Sequence, residues 1–358
     1  MANTKTLPRQ LITLCDDGAA GLFPGYFAVV MATGATSIAS HLLHHEKIAL
    51  ALLAANCLAY AMLSTLTIVR AFCYPRSLVS DMVDHARGPG FFTLVAGTCI
   101  LGTQFQILLG WADVATVFWW LGVGLWSSIM YLFFISVTIR SDKPTLEEGI
   151  NGAWLLAAVS TQSVAILTAI VPWSGPEDLR LFFALCMFMI GCMLYLAIIT
   201  LIFYRLTFLK LSPENLSPPY WINMGAVAIT TLAGSTLIVR AHEGGVLMDF
   251  LPFLRGFTLF FWAVATWWIP LLLGLTFWRH VLKHHQLRYE PQLWSLVFPL
   301  AMYTTGTTRL ADALHTDFLL IIPGVTMWLA WGAWLFTSLG MWRHFADLIQ
   351  HRLGQAER

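Results

Sequence analysis

Long apolar runs alternate with short polar connectors along the whole chain. Ten runs of about 20 mostly apolar residues, the length that crosses a bilayer, lie at 22–43, 48–72, 91–110, 114–139, 151–171, 179–204, 219–239, 252–278, 292–314 and 318–343. Only helices or closed barrels satisfy their backbone hydrogen bonds in lipid, and these runs are too long and too continuously apolar for barrel strands. The pattern therefore predicts an all-α integral membrane protein with ten transmembrane helices.

The same pattern divides the chain into three parts. Residues 1–21 are expected to form an N-terminal segment, residues 22–345 a ten-helix transmembrane domain, and residues 346–358 a C-terminal tail. The first twenty residues lack the short apolar stretch and small-residue cleavage site of a secretory signal, so we expect the first run to be retained as a helix.

Composition agrees with a chain that is mostly surrounded by lipid. Hydrophobic residues make up 58% of it and charged residues only 11%, whereas soluble domains carry about 25% charged residues. The net charge is +1, and no long run of Lys or Arg is present to neutralise phosphates. We therefore expect the lipid bilayer as a partner and no nucleic acid.

Basic residues in the connectors predict the orientation in the membrane. With ten spans both termini lie on one side, and that side holds 15 of the 20 Lys and Arg residues, against 5 on the other. Because cytoplasmic loops are enriched in Lys and Arg, both termini are expected in the cytoplasm, with the protein in the plasma (inner) membrane.

The odd-numbered runs resemble one another. Each begins near Pro or Gly, then has an aromatic residue and then small and hydroxyl residues; aligning Phe27, Phe92, Trp154, Trp221 and Trp294 gives separations of 65, 62, 67 and 73 residues. A two-helix repeat keeps its orientation, so the pattern predicts five like-oriented hairpins in a ring around a central pore. The alternative is that interfacial aromatics and small packing residues make all membrane helices look alike.

One position of this repeat carries an unusually bulky residue. Four residues after each aromatic lie Met31, Ala96, Ala158, Gly225 and Phe298. Phe298 precedes Pro299, which removes a helical hydrogen bond. A ring beside a helix irregularity could close an axial passage, so Phe298 and Pro299 are candidate gate residues; ordinary packing is the alternative.

Hydroxyl and small residues are concentrated in the odd runs, whereas 11 of the 16 Trp residues lie in the even runs. Bulky side chains suit lipid, and hydroxyls suit a wet axis. The candidate pore-lining residues are Met31, Thr33, Ala96, Thr98, Ala158, Ser160, Gly225, Thr230 and Thr304. The alternative is that Ser, Thr and Gly only allow close helix packing.

The few charges near the spans favour anions over cations. The odd runs contain no acidic ring of the kind that cation pores use, and their N-terminal ends would place helix dipoles around the inner mouth. Arg309 could draw anions to the outer mouth or simply pair with Asp312, three residues on. For Arg70, at the end of a span, we expect the side chain to snorkel to the interface.

Chemistry beyond transport has little support in the sequence. Neither a metal-binding HExxH sequence nor a nucleotide-binding glycine loop is present. The histidine pairs at 44–45 and 284–285 lie in connectors, where solvated side chains are expected. We therefore expect no enzyme activity, no metal and no cofactor.

The segments FPGYFAVVMATGATSIA, FFTLVAGTCILGTQF and WSLVFPLAMYTTGTTRLA resemble the tellurite-resistance/dicarboxylate transporter family, which includes yeast malate and sulfite carriers and is related to plant slow anion channels. The resemblance implies a homotrimer, with the odd helices innermost and a gating Phe on the ninth helix that corresponds to Phe298. It implies transport of small anions, with C4-dicarboxylates such as malate as the first expectation. The alternative is a channel or exporter for inorganic anions: sulfite, tellurite-derived anions, chloride or nitrate.

Overall fold

The structure, a computed structural model, describes residues 18–172 and 175–356, and within these ranges every regular element is helical. Most of the predicted N-terminal segment, residues 1–17, lies outside the described residues. The ten long helices are α1 Ala28–Leu42, α2 Glu46–Cys73, α3 Phe92–Gln104, α4 Ala112–Ile139, α5 Leu156–Ile170, α6 Glu177–Phe208, α7 Ile222–Ala241, α8 Leu251–Phe277, α9 Trp294–Leu314 and α10 Ile321–Ala356. Helix α10 continues well into the region expected as a tail.

Eight segments in the described part of the chain are long and apolar enough to cross a membrane. The exceptions among the ten predicted spans are α1 and α9. Helix α1 has 15 residues, and α9 carries four threonines together with Arg309 and Asp312, which lower its hydropathy. Most residues of these two helices are buried inside the protein, so they do not need an extensive apolar, lipid-facing surface.

A 3₁₀ turn precedes each odd-numbered helix. The five turns are Pro24–Phe27, Gly88–Phe91, Gly152–Leu155, Pro218–Trp221 and Pro291–Leu293. Proline suits the first position of a helical turn because that position needs no backbone N–H donor. The repeated Pro and Gly signal of the sequence therefore corresponds to a repeated local structure.

These turns also contact one another. A Cβ atom on Gly90 would lie 2.8 Å from the backbone nitrogen of Gly25, and one on Gly152 would overlap the carbonyl oxygen of Pro219. Each turn packs against the turns of two other repeats. The N-terminal ends of the five odd helices consequently lie together at one face of the protein, and the close approach of their backbones requires glycine.

The odd helices form the interior of the molecule. Helix α1 packs against α3 and α9, α5 packs against α3 and α7, and α7 packs against α9. Of the spans containing α3, α5 and α7, 67–89% of residues are buried, compared with 22–44% for the five even-numbered spans. The exposed surface of the even helices is mainly apolar, as a lipid-facing surface must be.

Tryptophans on even helices bind hydroxyls on odd helices. The indole Nε1 of Trp119 donates to Thr168 at 2.8 Å, that of Trp126 to Thr161 at 2.8 Å, and that of Trp334 to Thr33 at 3.0 Å. Similar bonds join Trp262 to Thr307 and Trp331 to Ser40. In apolar surroundings such bonds contribute about 0.6 kcal/mol each. Many of the tryptophans thus join the two layers of helices, in addition to those that face lipid.

Buried arginines at helix ends fix the connectors. Arg70 is 3% exposed; it donates to the Leu22 carbonyl at 2.6 Å and to Asp81 at 2.7 Å. The prediction that Arg70 snorkels to the interface is therefore wrong, because its guanidinium is buried and donates to a carboxylate and a carbonyl inside the protein instead. Arg180 similarly donates to the carbonyl of Ala169 near the end of α5, at 3.0 Å, and to that of Val171 just after it, at 2.6 Å.

Candidate functional site

Phe298 lies in the fifth position of α9 and is 1% exposed. Its neighbour Pro299 lies within the helix, and both residues face Gly225 of α7. A Cβ atom on Gly225 would lie 2.7 Å from Pro299 Cγ and 3.4 Å from Phe298 Cδ1. The structure therefore brings together the two candidate gate residues and one of the candidate pore-lining residues.

Three of the candidate lining threonines make hydrogen bonds toward the outer helices. The Thr33 hydroxyl accepts a hydrogen bond from Trp334 of α10. The Thr304 hydroxyl, on α9, lies 2.7 Å from that of Thr326, which is also on α10. Thr98 lies 3.0 Å from the hydroxyl of Tyr60 on α2. These bonds define which face of each inner helix is turned outward.

The other candidates have no contact of this kind. Ser160 and Thr230 bond to backbone carbonyls of their own helices, those of Ala157 and Ala226. All nine candidate lining residues are buried: Met31, Thr33, Ala96, Thr98, Ala158, Ser160, Gly225, Thr230 and Thr304. In this conformation none of them offers surface to water.

Helix register provides a sharper comparison of the five repeats than the aromatic alignment does. The fifth residues of α1, α3, α5, α7 and α9 are Ala32, Ala96, Ser160, Ala226 and Phe298, counted from the first α-helical residue. All five are at most 1% exposed. The aromatic alignment did not point to Ala32 and Ala226, because the aligned aromatic is the first helical residue in α3 and α9 but lies one or two residues before the helix in the other repeats.

The spans also contain several buried side-chain amides that the sequence analysis did not single out. Asn56 Nδ2 donates to Gln104 Oε1 at 2.6 Å, which joins α2 to α3, and Gln162 Nε2 donates to the Phe188 carbonyl at 3.1 Å. The side chain of Asn223 is fully buried, with both polar atoms unpaired among the described residues. An amide inside an apolar run is a signal that sequence reasoning could have used.

Lysine and arginine are nearly absent from the inner helices. Among the described residues of α1, α3, α5, α7 and α9, only Arg240 and Arg309 are of these types, and both lie near the C-terminal ends of their helices. Arg309 Nη1 is 3.8 Å from Asp312 Oδ2, and both side chains are partly exposed. Exposed pairs of this kind contribute little to stability.

Metal-binding geometry does not occur in the described part of the chain, since no three His, Cys, Asp or Glu side chains come together there. Phosphate-cradling or catalytic arrangements were not expected from the sequence either. The chemistry of the interior is that of hydroxyls, amides and backbone groups within apolar walls.

An all-helical protein with apolar outer helices around a buried, hydroxyl-rich inner set belongs to the class of multi-pass membrane proteins. The model of the voltage-dependent anion channel family matches residues 22–342. The chain belongs to this family and is accordingly an anion transporter or channel. The predicted family relationship is confirmed.

Relatives of known sequence agree with this assignment. An uncharacterized membrane protein of Mycobacterium tuberculosis (strain CDC 1551 / Oshkosh) is 38% identical over 170 residues, covering 46% of this chain and 86% of the relative. An uncharacterized transporter of Methanocaldococcus jannaschii is 23% identical, covering 88% and 92%. The sulfite efflux pump SSU1 of Arthroderma otae is 25% identical, covering 85% and 87%.

Proposed function

We propose that this protein exports small inorganic oxyanions, with sulfite as the leading substrate, through a passage among the inner helices that Phe298 closes. The observation that carries the proposal is the character of the interior. The described residues of the inner helices offer hydroxyl and backbone groups but no Lys or Arg away from the helix ends. The similarity to a sulfite efflux pump over most of both chains favours the same substrate class.

The passage would run along the axis of a ring of five like-oriented hairpins. Contacts between successive odd helices support a ring, because α9 packs against both α7 and α1. The cyclic contacts among the 3₁₀ turns support the shared orientation of the hairpins. In this arrangement all ten helices cross the membrane, with α1 and α9 shielded from lipid by the others.

The faces of the inner helices support a gate at Phe298. Thr304 bonds outward to α10 and Thr307 outward to α8, so the opposite face of α9 is directed at the proposed axis. At 100° per residue, Phe298, Thr305 and Arg309 share that opposite face. The equivalent residues Ala32, Ala96, Ser160 and Ala226 are small, so the phenyl ring is the bulkiest group of this layer.

Small anions suit this interior better than dicarboxylates do. Burying a charge without a partner is costly, and a C4-dicarboxylate carries two charges at separate ends of its chain. Hydroxyl and N–H donors can replace part of the hydration of a compact anion, and the N-terminal ends of the odd helices favour negative charge. Binding by such groups is weak, which permits rapid passage.

Malate remains a second candidate. The observation in its favour is the sequence resemblance to a family that includes malate carriers. The substrates are distinguishable by flux in proteoliposomes that contain purified protein, with the membrane potential clamped. Sulfite flux that exceeds malate flux and is not reduced by succinate supports the proposal. Saturable malate flux that succinate inhibits, with little sulfite flux, overturns it.

The orientation and assembly are proposed as well. Both termini would lie in the cytoplasm of a plasma-membrane protein, as the distribution of Lys and Arg predicts, and the protein would be a homotrimer, as the family resemblance implies. Arg309 would then lie at the outer mouth. Labelling of the cysteine in Arg358→Cys from either side of intact vesicles tests the orientation, and labelling from the outside contradicts it. Native mass spectrometry in mild detergent tests the trimer, and a monomeric mass contradicts it.

A further inference from the structure

A cavity of about 600 Å³ opens beside the inner helices at the face where the 3₁₀ turns meet. Its walls come from the turn Pro218–Trp221, from the end of α8 with the following π-helical turn Trp278–Leu282, and from the start of α9. The lining is part apolar and part charged. It is separate from Phe298 and from the candidate pore-lining residues.

Arg279 is the central polar residue of this cavity. Arg279 is 9% exposed, and among the described residues its side chain makes one hydrogen bond, from Nη2 to His285 Nε2 at 3.0 Å. The buried Nε atom has no partner there, which is true of Arg70 Nε as well, but Arg70 uses both of its terminal nitrogens and Arg279 only one. A buried guanidinium with unused N–H donors is unfavourable unless something else accepts from it.

The partners of Arg279 differ from those of the corresponding arginines in three other repeats. Arg70, Arg140 and Arg205 also lie at or just after the C-terminal ends of even helices. Each donates to a backbone carbonyl shortly before the 3₁₀ turn of its own repeat: those of Leu22, Val83 and Glu147. Among the described residues, Arg279 has no such carbonyl partner. The arginine that is bound to a backbone carbonyl in three repeats therefore lines a cavity in the fourth repeat, where it is Arg279.

The other charges of the lining balance the arginines. Arg279 and Arg288 are matched by Glu214 and Glu290, and His280 and His285 are also present. Hydrogen bonds from its own backbone N–H and from Ser212 hold the pKa of Glu214 below its ordinary value, and nearby His285 and Arg279 lower it further. A simple anion would be attracted by one pair and repelled by the other.

We propose that this cavity binds a phospholipid headgroup that carries both a phosphate and a primary ammonium group, as in phosphatidylethanolamine. The phosphate would accept from Arg279, whose planar donors suit phosphate oxygens. The ammonium would lie against Glu214 and Glu290. The leucines at 272, 275, 293 and 296 provide apolar walls for the first part of the acyl chains.

Lipid binding to delipidated protein tests the assignment. Native mass spectrometry would compare phosphatidylethanolamine with phosphatidylglycerol, which lacks the ammonium, and phosphatidylcholine, whose ammonium has no N–H donors. We expect the wild-type protein to retain phosphatidylethanolamine best, without any variant being needed. Equal retention of the three lipids overturns the proposal.

Variants locate the site. Losing a charge-assisted hydrogen bond is expected to weaken phosphatidylethanolamine retention roughly tenfold in Arg279→Gln. Lys283→Gln is the matched control, because this substitution also removes one positive charge. Lys283 directly follows the turn Trp278–Leu282 but does not line the cavity. Equal losses in both variants would indicate non-specific attraction and overturn the proposal.

The double variant Glu214→Gln/Glu290→Gln is expected to prefer phosphatidylglycerol, and an unchanged preference counts against the role of the carboxylates.

A soluble ligand of the same chemistry is the competing source. Inorganic phosphate and phosphoethanolamine would be added to delipidated protein, and thermal unfolding would be followed. Stabilisation by phosphatidylethanolamine that exceeds stabilisation by either soluble compound supports the lipid. Full stabilisation by a soluble compound, with no further effect of the lipid, overturns the lipid assignment.

Discussion

Phe298 and Gly225 face each other across the contact between α9 and α7. Phe298 Cδ1 lies 3.4 Å from the point where a Cβ atom of Gly225 would be, and Pro299 Cγ lies 2.7 Å from the same point. The absence of a side chain at Gly225 therefore allows the two helices to approach and allows the phenyl ring to lie in a layer that is otherwise built from small residues.

Replacing the ring tests the gate directly. In Phe298→Ala we expect anion flux to rise severalfold or more, because the small residues of the same layer leave the axis unobstructed once the phenyl group is gone. The measurement is current across planar bilayers that hold the purified variant. Unchanged or reduced current, at normal expression and folding, would remove Phe298 from the gate role.

Phe92→Ala is the matched control. Phe92 is the first residue of α3, is fully buried, and packs edge-on against Phe133 of α4 at a centroid distance of 5.5 Å. Truncation there is expected to lower the free energy of unfolding by about 3–5 kcal/mol, as in other cores. It should not raise the current. A rise in both variants would indicate general loosening of the protein.

A methyl group at Gly225 tests the same contact from the other side. In Gly225→Ala, overlap with Pro299 should separate α7 from α9 and destabilise the protein by about 1–3 kcal/mol. Gly256→Ala in α8 has open space around the new methyl group and should be neutral or stabilising, since alanine is the better helix former. Thermal unfolding in detergent measures both, and equal midpoints would contradict the proposed close packing.

Sequence periodicity was sufficient to locate the helices but not to distinguish their faces. The run predicted at 91–110 begins at the last residue of a 3₁₀ turn and contains α3 and a π-helical segment, Phe105–Leu109, and the apolar pattern does not separate these. Hydroxyl clustering identified the inner helices. Whether Thr33 or Thr98 faces the axis or an outer helix depends on where Trp334 and Tyr60 lie, and only the packed structure determines that.

Buried charge was the least predictable feature. Arg70 ends an apolar run, so the sequence alone predicts an interfacial residue. Its partner Asp81 lies on the short helix Pro75–Met82, which brings the carboxylate back to Arg70. By contrast, Arg309 and Asp312 are three residues apart, so the possible pair follows from helical spacing alone.

Glycine in the turns gives a test of the contacts between repeats. A methyl group in Gly152→Ala would overlap the carbonyl oxygen of Pro219, a backbone atom that cannot move aside as a side chain could. We expect a loss of about 1–3 kcal/mol in the free energy of unfolding and weaker assembly of the two hairpins. Gly332→Ala, which meets nothing within 4 Å in α10, is the control. A wild-type unfolding midpoint for Gly152→Ala would show that the turns are not in contact in the membrane.

The carboxylate of Asp81 is shared by two arginines. Oδ2 accepts from buried Arg70 at 2.7 Å, and Oδ1 accepts from Arg87 Nε at 2.6 Å. In Asp81→Asn the guanidinium of Arg70 stays buried without its counter-charge, which is expected to destabilise the protein by about 3–5 kcal/mol. Asp312→Asn removes the partner of Arg309 at the surface and should cost no more than about 1 kcal/mol. Unfolding in increasing denaturant, with tryptophan fluorescence as the signal, compares the two variants. Similar losses would mean that Arg70 reaches water after all, as the sequence alone predicted.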